Sequence, residues 1–412
     1  MDPKPVTSNA KHFDNEQAAA ALKHALLANY LTPFAVMTSG ASEGNRVWFI
    51  DAYAGPGRYE RQPGEVEGKP GSPLIALGIG KRIATIAKTP RHLNCIFIER
   101  EPAYANLLKG IVVAGNFPAD TVVETGDAAD HLASSVARAG KDPLLTFLDP
   151  FGTALPRKLM MDTLFARDST ATNEVLLNFH LLSVARIGSL LGQPGELSQQ
   201  DQKTVARLDA FIGHDPWRAA FLEHYEPTKE GSATLGALAV ASLFRDQVKA
   251  ESGYDSFAID IRKAAGYLPI FQLTLFYRHT AAEYKFADAA SLANQKWRRS
   301  LLEAELREDA EKHSDALFAA DFSEEQFEER WKADEKALSG MWGSDIEANI
   351  LQLLKSRSSF RIREHVRALY GKHLGLAGEK HLRAAWAALE ARHIVQKRPA
   401  NLYYGEITRT SN

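Results

Sequence analysis

Four acids, Asp51, Glu99, Asp127 and Asp149, each close or follow a short apolar run: VWFID, NCIFIE, TVVETGD and PLLTFLDPFG. Two of them open a pattern that could do chemistry. Asp51 begins DAYAGPG, where Ala54, Gly55 and Gly57 leave the backbone bare enough for a ligand to lie against it. Asp149 begins DPFG, an acid followed by Pro150 and an aromatic, Phe151. A carboxylate and a neighbouring carbonyl there can accept the hydrogens of a planar amine while the phenyl ring stacks on it. That would aim the nitrogen lone pair at an electrophile, which is catalysis by positioning more than by strong base. The plainer alternative is an Asp-Pro turn with a core phenylalanine.

These residues need a frame that brings them together. The four apolar runs, and a fifth at NEVLLNF, are separated by segments long enough for crossover helices. Strands apolar on both faces and alternating with helices indicate a doubly wound, Rossmann-like, mostly parallel sheet. In such a sheet the ligand crevice lies at the carboxyl ends of the strands, so the acids would share one edge. Glu99, ending the second strand, is placed to take ribose hydroxyls, and Asp127 either contacts an adenine or caps the next helix. Small residues for close backbone approach and acids for hydroxyl and amino groups suit a cofactor built from ribose, adenine and a charged sulfonium. DAYAGPG is neither the longer dinucleotide glycine signature nor a P-loop, since no Gly-Lys-Ser or Gly-Lys-Thr follows.

Composition narrows the partners. With 412 residues and 45% hydrophobic content the chain can form two globular units. Forty-nine basic against 51 acidic residues exclude a global field for nucleic acid or anionic membranes. The single cysteine, Cys95, excludes an internal disulfide and a metal site of several thiolates. No apolar run reaches the length of a membrane span, and a cytoplasmic protein is the simplest reading. His365, His373 and His381, spaced by eight, fall on different expected helices, so no metal site is expected.

Along the chain, residues 1–45 read as an N-terminal helical segment with Leu22, Leu26, Leu27 and Tyr30 at helical spacing and Pro33 as a break or kink. Residues 46–300 read as the sheet domain, with a helical insertion at about 183–251 and a terminal antiparallel hairpin in SFAIDIRKAAGYLPIFQLTLFYRH. Residues 301–343 are acidic and helix-prone, a solvated connector. Residues 344–412, opening on a serine cap at Ser344, show three helices and two extended runs around Pro399, which suggests a winged helix-turn-helix or short helical repeats. Between Lys355 and Arg398 stand 11 Lys or Arg against three acids. Lys380 and Arg383 on the recognition helix, with Lys397, Arg398 and Tyr403 near the wing, could meet the phosphates of RNA or DNA; a solvated basic face or a protein contact is the alternative.

The succession DAYAGPG, FIE, TGD and LDPFG is similar to the motif series of class I S-adenosylmethionine-dependent methyltransferases. Within that superfamily, KHALLANYL, FIDAYAGPGRYE, GSPLIAL and FLDPFG together resemble the three-Cys-motif partner (TcmP) family, over roughly the first three hundred residues. The resemblance implies a separate partner with a three-cysteine, radical-enzyme-like motif, which this chain with its one cysteine does not itself contain. DPFG also resembles the catalytic motif of guanine N2-methylating tRNA enzymes, which implies an exocyclic base nitrogen as target, Asp149 as catalytic residue and Phe151 as stacking partner. Two other readings stand beside this one: a methyltransferase-like scaffold that performs no methylation, and an enzyme acting on a protein or small molecule.

Overall fold

The computed structural model describes residues 12–59, 67–85, 89–117, 119–150, 152–153, 155–213, 216–264, 266–312 and 323–410; Phe151 lies outside the described residues. By internal contacts the chain divides into two units, one of residues 1–19 and 30–278, the other of 20–29 and 279–412.

The first unit contains most of α1 (His12–Thr38), then β1 (Arg46–Asp51), α2 (Ser72–Thr85), β2 (His92–Glu99), α3 (Pro102–Gly115), β3 (Thr121–Thr125), α4 (Ala128–Ala139), β4 (Leu144–Leu148), α5 (Arg157–Met160) and β5 (Asn173–Phe179). It continues with α6 (Leu181–Gly188), α7 (Gln199–Ile212), α8 (Pro216–Leu222), α9 (Ser232–Ser252), β6 (Asp255–Arg262) and β7 (Pro269–Tyr277). The seven strands form one sheet in the order β3-β2-β1-β4-β5-β7-β6. β1 to β5 run parallel, and β7 lies antiparallel between β5 and β6.

The strand sequences explain why both faces are covered. Every residue of β4 and β5 is buried. Ile50, Ile96, Leu148 and Leu177 share one core with Leu132 of α4 and with Leu208, Phe221 and Phe244 of the helices inserted after β5. The alternating Phe49, Phe97, Leu145 and Phe147 are equally buried on the opposite face, where α2 packs over β1 and β2. Side chains alternate along a strand, so only sequences apolar at both parities can fill such a sheet. Because the five strands are parallel, their carboxyl ends, and the acids that follow them, share one edge.

Pro33 neither ends nor visibly interrupts α1, which continues to Thr38. Phe34 and Ala35 just beyond it are buried. Tertiary packing there sustains a turn that proline would break in isolation.

The second unit contains α10 (Thr280–Lys312), α11 (Glu324–Lys355), β8 (Ser359–Arg361), α12 (Val366–Tyr370), α13 (Glu379–Ala391) and β9 (Glu406–Thr408). One expectation is corrected here. Ser344 is not a helix cap: it lies inside α11, whose N-cap is Ser323, with its hydroxyl accepting from the Gln326 amide. The acidic stretch is helical and mostly exposed over its described residues, and it also packs. Its described parts belong to α10 and α11, which run antiparallel, joined by Arg298 to Glu335 at 2.6 Å, Arg299 to Glu328 and Arg330 to Glu305. Arg residues at matching heights turn an acidic helix face into a packing surface, and Glu335 is buried. Trp342, Ile346, Ile350, Leu382, Trp386 and Ile407 form this unit's core.

In the first unit, a buried hydrogen bond between two titratable groups joins α1 to β5. The Tyr30 hydroxyl donates to Glu174 Oε2 at 2.5 Å. Burial pushes the Glu174 carboxyl up to about 8, against a hydrogen bond from Tyr30 that pulls the other way. The folded protein therefore keeps a proton that the unfolded chain releases above its ordinary value of 4.5, and the linked stability is full below that pH and lost as pH rises to about 8. Wild-type stability by thermal melts should fall from pH 5 to pH 8, with Glu174 contributing on the order of 1 kcal/mol per pH unit. Glu174→Gln, which keeps the acceptor and removes the titration, should flatten that part of the profile; an unchanged slope would contradict it.

Candidate functional site

At the carboxyl edge each strand's backbone must find new partners, and it finds them across the sheet. The Ala52 amide donates to Phe147 O, the Ala54 amide to Ile98 O and the Gly126 amide to Glu99 O, at 3.0 to 3.1 Å. The Glu99 carboxylate takes the Gly55 amide on Oε2 and the Glu101 amide on Oε1, both at 2.7 Å. One side chain thus fixes the glycine turn after β1 and the start of α3.

Above this edge opens a cleft of about 650 Å³, lined by Ala52, Tyr53, Gly55, Pro56, Glu99, Arg100, Glu101, Ala103, Tyr104, Asp127, Ala128, Pro150 and Thr153. Of the six residues expected to hold a cofactor, Gly55, Glu99 and Asp127 line it. Asp127 occupies the N-cap position of α4 but makes no side-chain capping bond, and stands 3.9 Å from Arg100. Its side chain borders the cleft without bonding to the helix it precedes.

Asp51, Ala54 and Gly57 do not line the cleft; they are buried and shape the turn. Asp51 is fully buried and accepts the Tyr53 amide at 3.1 Å. Burial pushes its carboxyl up to about 7, opposed by hydrogen bonds from Ser72 and the Tyr53 amide and reinforced by Asp149 and Glu99. Gly55 and Gly57 both have left-handed backbones, at φ 65° and 86°. A Cβ on Gly55 would meet nothing within 4 Å, whereas one on Gly57 would stand 2.7 Å from Leu74 and 2.9 Å from Leu108. The first glycine leaves room beside the cleft; the second lets the turn close on α2 and α3.

Asp149 follows β4 beside the cleft, whose wall includes the next residue, Pro150. Asn178 at the end of β5 donates from Nδ2 to Asp149 Oδ1 at 2.6 Å, and its own Oδ1 is buried without a hydrogen-bond partner among the described residues. Sequence reasoning missed Asn178, although an amide within the otherwise apolar LLNF was its signal. It also missed Tyr53, Arg100, Glu101 and Tyr104, which carry none. Arg58 and Tyr59, which adjoin the turn, do not line the cleft; Arg58 is held by Glu67 at 2.6 Å.

In the second unit, Lys380 donates to Gln295 at 3.3 Å and Arg383 to Glu379 at 2.7 Å, both already engaged at the start of α13. Lys397 and Arg398 have no side-chain partner among the described residues. Tyr403 is buried and donates or accepts with Thr280, and the exposed ring is Tyr404. Each expected histidine has its own neighbour: His365 Arg357, His373 Asp345 at 2.7 Å, and His381 Ser339 at 3.2 Å.

No family model and no curated protein matches the chain. Among solved structures it is similar to a protein of Legionella pneumophila, at 11% identity and TM-score 0.34 over 63% of this chain and 85% of that one. It is also similar to the O-methyltransferase TomG of Streptomyces achromogenes, involved in tomaymycin synthesis and solved in complex with SAM, at 12% identity and TM-score 0.31 over 66% of this chain and 92% of that one. Likenesses this loose carry no argument; the Rossmann-like assignment rests on the strand order and the cleft at its carboxyl edge.

The two glycines should separate on substitution. Alanine at either suffers the left-handed penalty of about 1–2 kcal/mol. Gly57→Ala adds overpacking of roughly 1–3 kcal/mol against Leu74 and Leu108. Urea denaturation should therefore give a lower midpoint for Gly57→Ala than for Gly55→Ala, and equal midpoints would contradict the packing of the turn.

Proposed function

We propose that the first unit binds S-adenosylmethionine in the cleft and methylates an exocyclic nitrogen of a nucleic-acid base. The observation that carries this reading is the convergence of Gly55, Glu99, Asp127 and Pro150, from four separate strand ends, on one cleft. Its volume falls within the range of roughly 300–1,000 Å³ usual for small-molecule sites. The residues present fit the cofactor: open space stands where Gly55 would carry a Cβ, and three carboxylate residues, Glu99, Glu101 and Asp127, border the same volume.

Each residue then has a part that its surroundings support. Glu99 holds one backbone amide on each oxygen and keeps further lone pairs for ribose hydroxyls. Asp127, not used in capping, is the acceptor for the cofactor's adenine end. The cofactor itself supplies an electrophilic methyl group. Asp149, steadied by Asn178, accepts a hydrogen of the target amine and orients its lone pair, with Pro150 O as the second acceptor and Phe151 as the stacking surface. A base in a duplex or folded RNA would have to be flipped out to reach it.

The second unit supports a winged-helix reading by its order of elements. Helix α11, strand β8, helices α12 and α13, a bridge from Val395 to Arg409, and β9 paired with β8 follow one another as three helices and a small wing.

Calorimetry with S-adenosylmethionine tests the site. Wild type should bind; Gly55→Leu, checked for intact folding, should lose binding because its side chain enters the cofactor's space. Asp149→Ala should bind as wild type does and transfer no tritiated methyl to RNA or DNA. Absence of binding in wild type, with and without a three-Cys-motif partner, would overturn the enzyme reading in favour of a non-catalytic scaffold.

A further inference from the structure

The second unit carries an exposed basic and aromatic loop whose construction differs from that of α13. Between Val395 and Glu406 the chain turns back on itself, held from several sides. Trp386 Nε1 donates to Gln396 O at 2.8 Å, the Gln396 amide donates to Thr408 O at 3.1 Å, and the Gly405 amide donates to Leu402 O at 2.7 Å. Leu402 and Tyr403 are buried, so the loop is anchored through its middle. Lys397 and Tyr404 are exposed on it, together with Pro399, Ala400 and Asn401, and Arg398 is half-buried beside them.

The Tyr404 ring is 63% exposed and rests edge-on against Tyr403, with centroids 5.0 Å apart and planes at 75°. Support from a buried neighbour fixes an exposed aromatic and makes it a ready surface for stacking. Neither Lys397 nor Arg398 has a side-chain partner among the described residues. Of the neighbouring acids, Glu390 receives the Arg398 amide at 3.5 Å, and Glu406 receives the Ser359 hydroxyl. By contrast, the cations of α13 that a helix-in-groove docking would use are engaged, Lys380 with Gln295 and Arg383 with Glu379.

We propose that this loop, through Tyr404 stacking and Lys397 and Arg398 at phosphates, is a binding surface for single-stranded nucleic acid, and that α13 is not its main contact. Paired cations must give up a partner to meet a phosphate, whereas unpaired ones release only counterions. A basic surface carrying an aromatic platform is the usual composition of sequence-tolerant single-strand sites. The choice of nucleic acid as partner rests on the base-methylating reading above; the location rests on this unit alone.

Fluorescence anisotropy of the full chain with a labelled 20-nucleotide oligouridylate, repeated with oligothymidylate, tests it at several salt concentrations. Wild type should bind. Tyr404→Ala should weaken binding about tenfold with little change in salt dependence, since stacking involves no counterions. Lys397→Ala with Arg398→Ala should weaken it and lower the slope of log affinity against log salt by about 0.7 for each phosphate no longer neutralised. Lys380→Ala with Arg383→Ala should leave binding within about twofold. Tyr404 is exposed, so its variant tests the surface even if another variant folds poorly. No binding by wild type to either strand, binding indifferent to the loop variants, or a loss confined to the α13 variant would each overturn the proposal. Calorimetry with S-adenosylmethionine on the same proteins separates the two readings: loop variants should bind it as wild type does, and its failure to bind wild type would remove the methyl donor while leaving this surface standing.

Discussion

The parallel sheet runs out of backbone partners at its carboxyl edge, and the structure depends on how they are replaced. Buried or half-buried amides must be satisfied, because an orphaned donor forfeits about as much as a lost hydrogen bond. Here carbonyls of neighbouring strands take the amides of Ala52, Ala54 and Gly126, and Glu99 takes two more on its carboxylate. The bonding that closes the sheet thereby sets the floor and one wall of the cleft. Glu99 is at once a structural acceptor and a charge facing the cavity, so architecture and recognition share one side chain.

Beneath this edge lies a row of polar groups in an apolar sheet: Asp51 at the end of β1, Asp149 after β4 and Asn178 on β5. By register they fall on one face, since Asp51 stands opposite Phe147 and Leu148 opposite Leu177. Burying polar groups is tolerable when each has partners: Asp149 accepts from Asn178 and Asp51 Oδ1 accepts the Tyr53 amide, while Asp51 Oδ2 is buried with no hydrogen-bond partner among the described residues. The cost is visible in Asp51, whose carboxyl is pushed up to about 7 by burial. Asn178 bridges toward Asp149 and leaves its own carbonyl oxygen unsatisfied, an arrangement that holds the aspartate in one orientation beside the cleft.

The C-terminal unit follows a different rule. Beside its apolar core, the more exposed halves of its long helices are joined by charge pairing reinforced by stacked rings: Arg298 reaches Glu335 and lies 5.1 Å over Trp342, and Arg299 reaches Glu328 and covers Phe327. Arginine serves both contacts because its planar head pairs with a carboxylate in plane and stacks through its face. The same pairing occupies many of the cations that a count along the sequence makes available, which is why a local excess of Lys and Arg overstates the free basic surface.

The sequence by itself determined the class of the first unit and the edge where its site lies. Strands apolar at both parities, alternating with helical segments, allow only a covered parallel sheet, and parallel strands send the residues after them to one side. It also determined which residue types stand there, as Gly55, Glu99, Asp127 and Asp149 do. Tertiary structure alone decided which of them reach the cavity. Asp51, Ala54 and Gly57 are one turn's residues like Gly55, yet they face inward, because the direction of a side chain in a glycine turn is set by left-handed backbone angles and by what packs against it. Asn178, Tyr53 and Arg100 joined the site from positions with little local signature, since proximity across strands is a matter of register. In the second unit the boundary at Ser344, the fate of the acidic stretch and the exchange of Tyr403 for Tyr404 as the exposed ring followed from long-range packing, which periodicity along one helix cannot report.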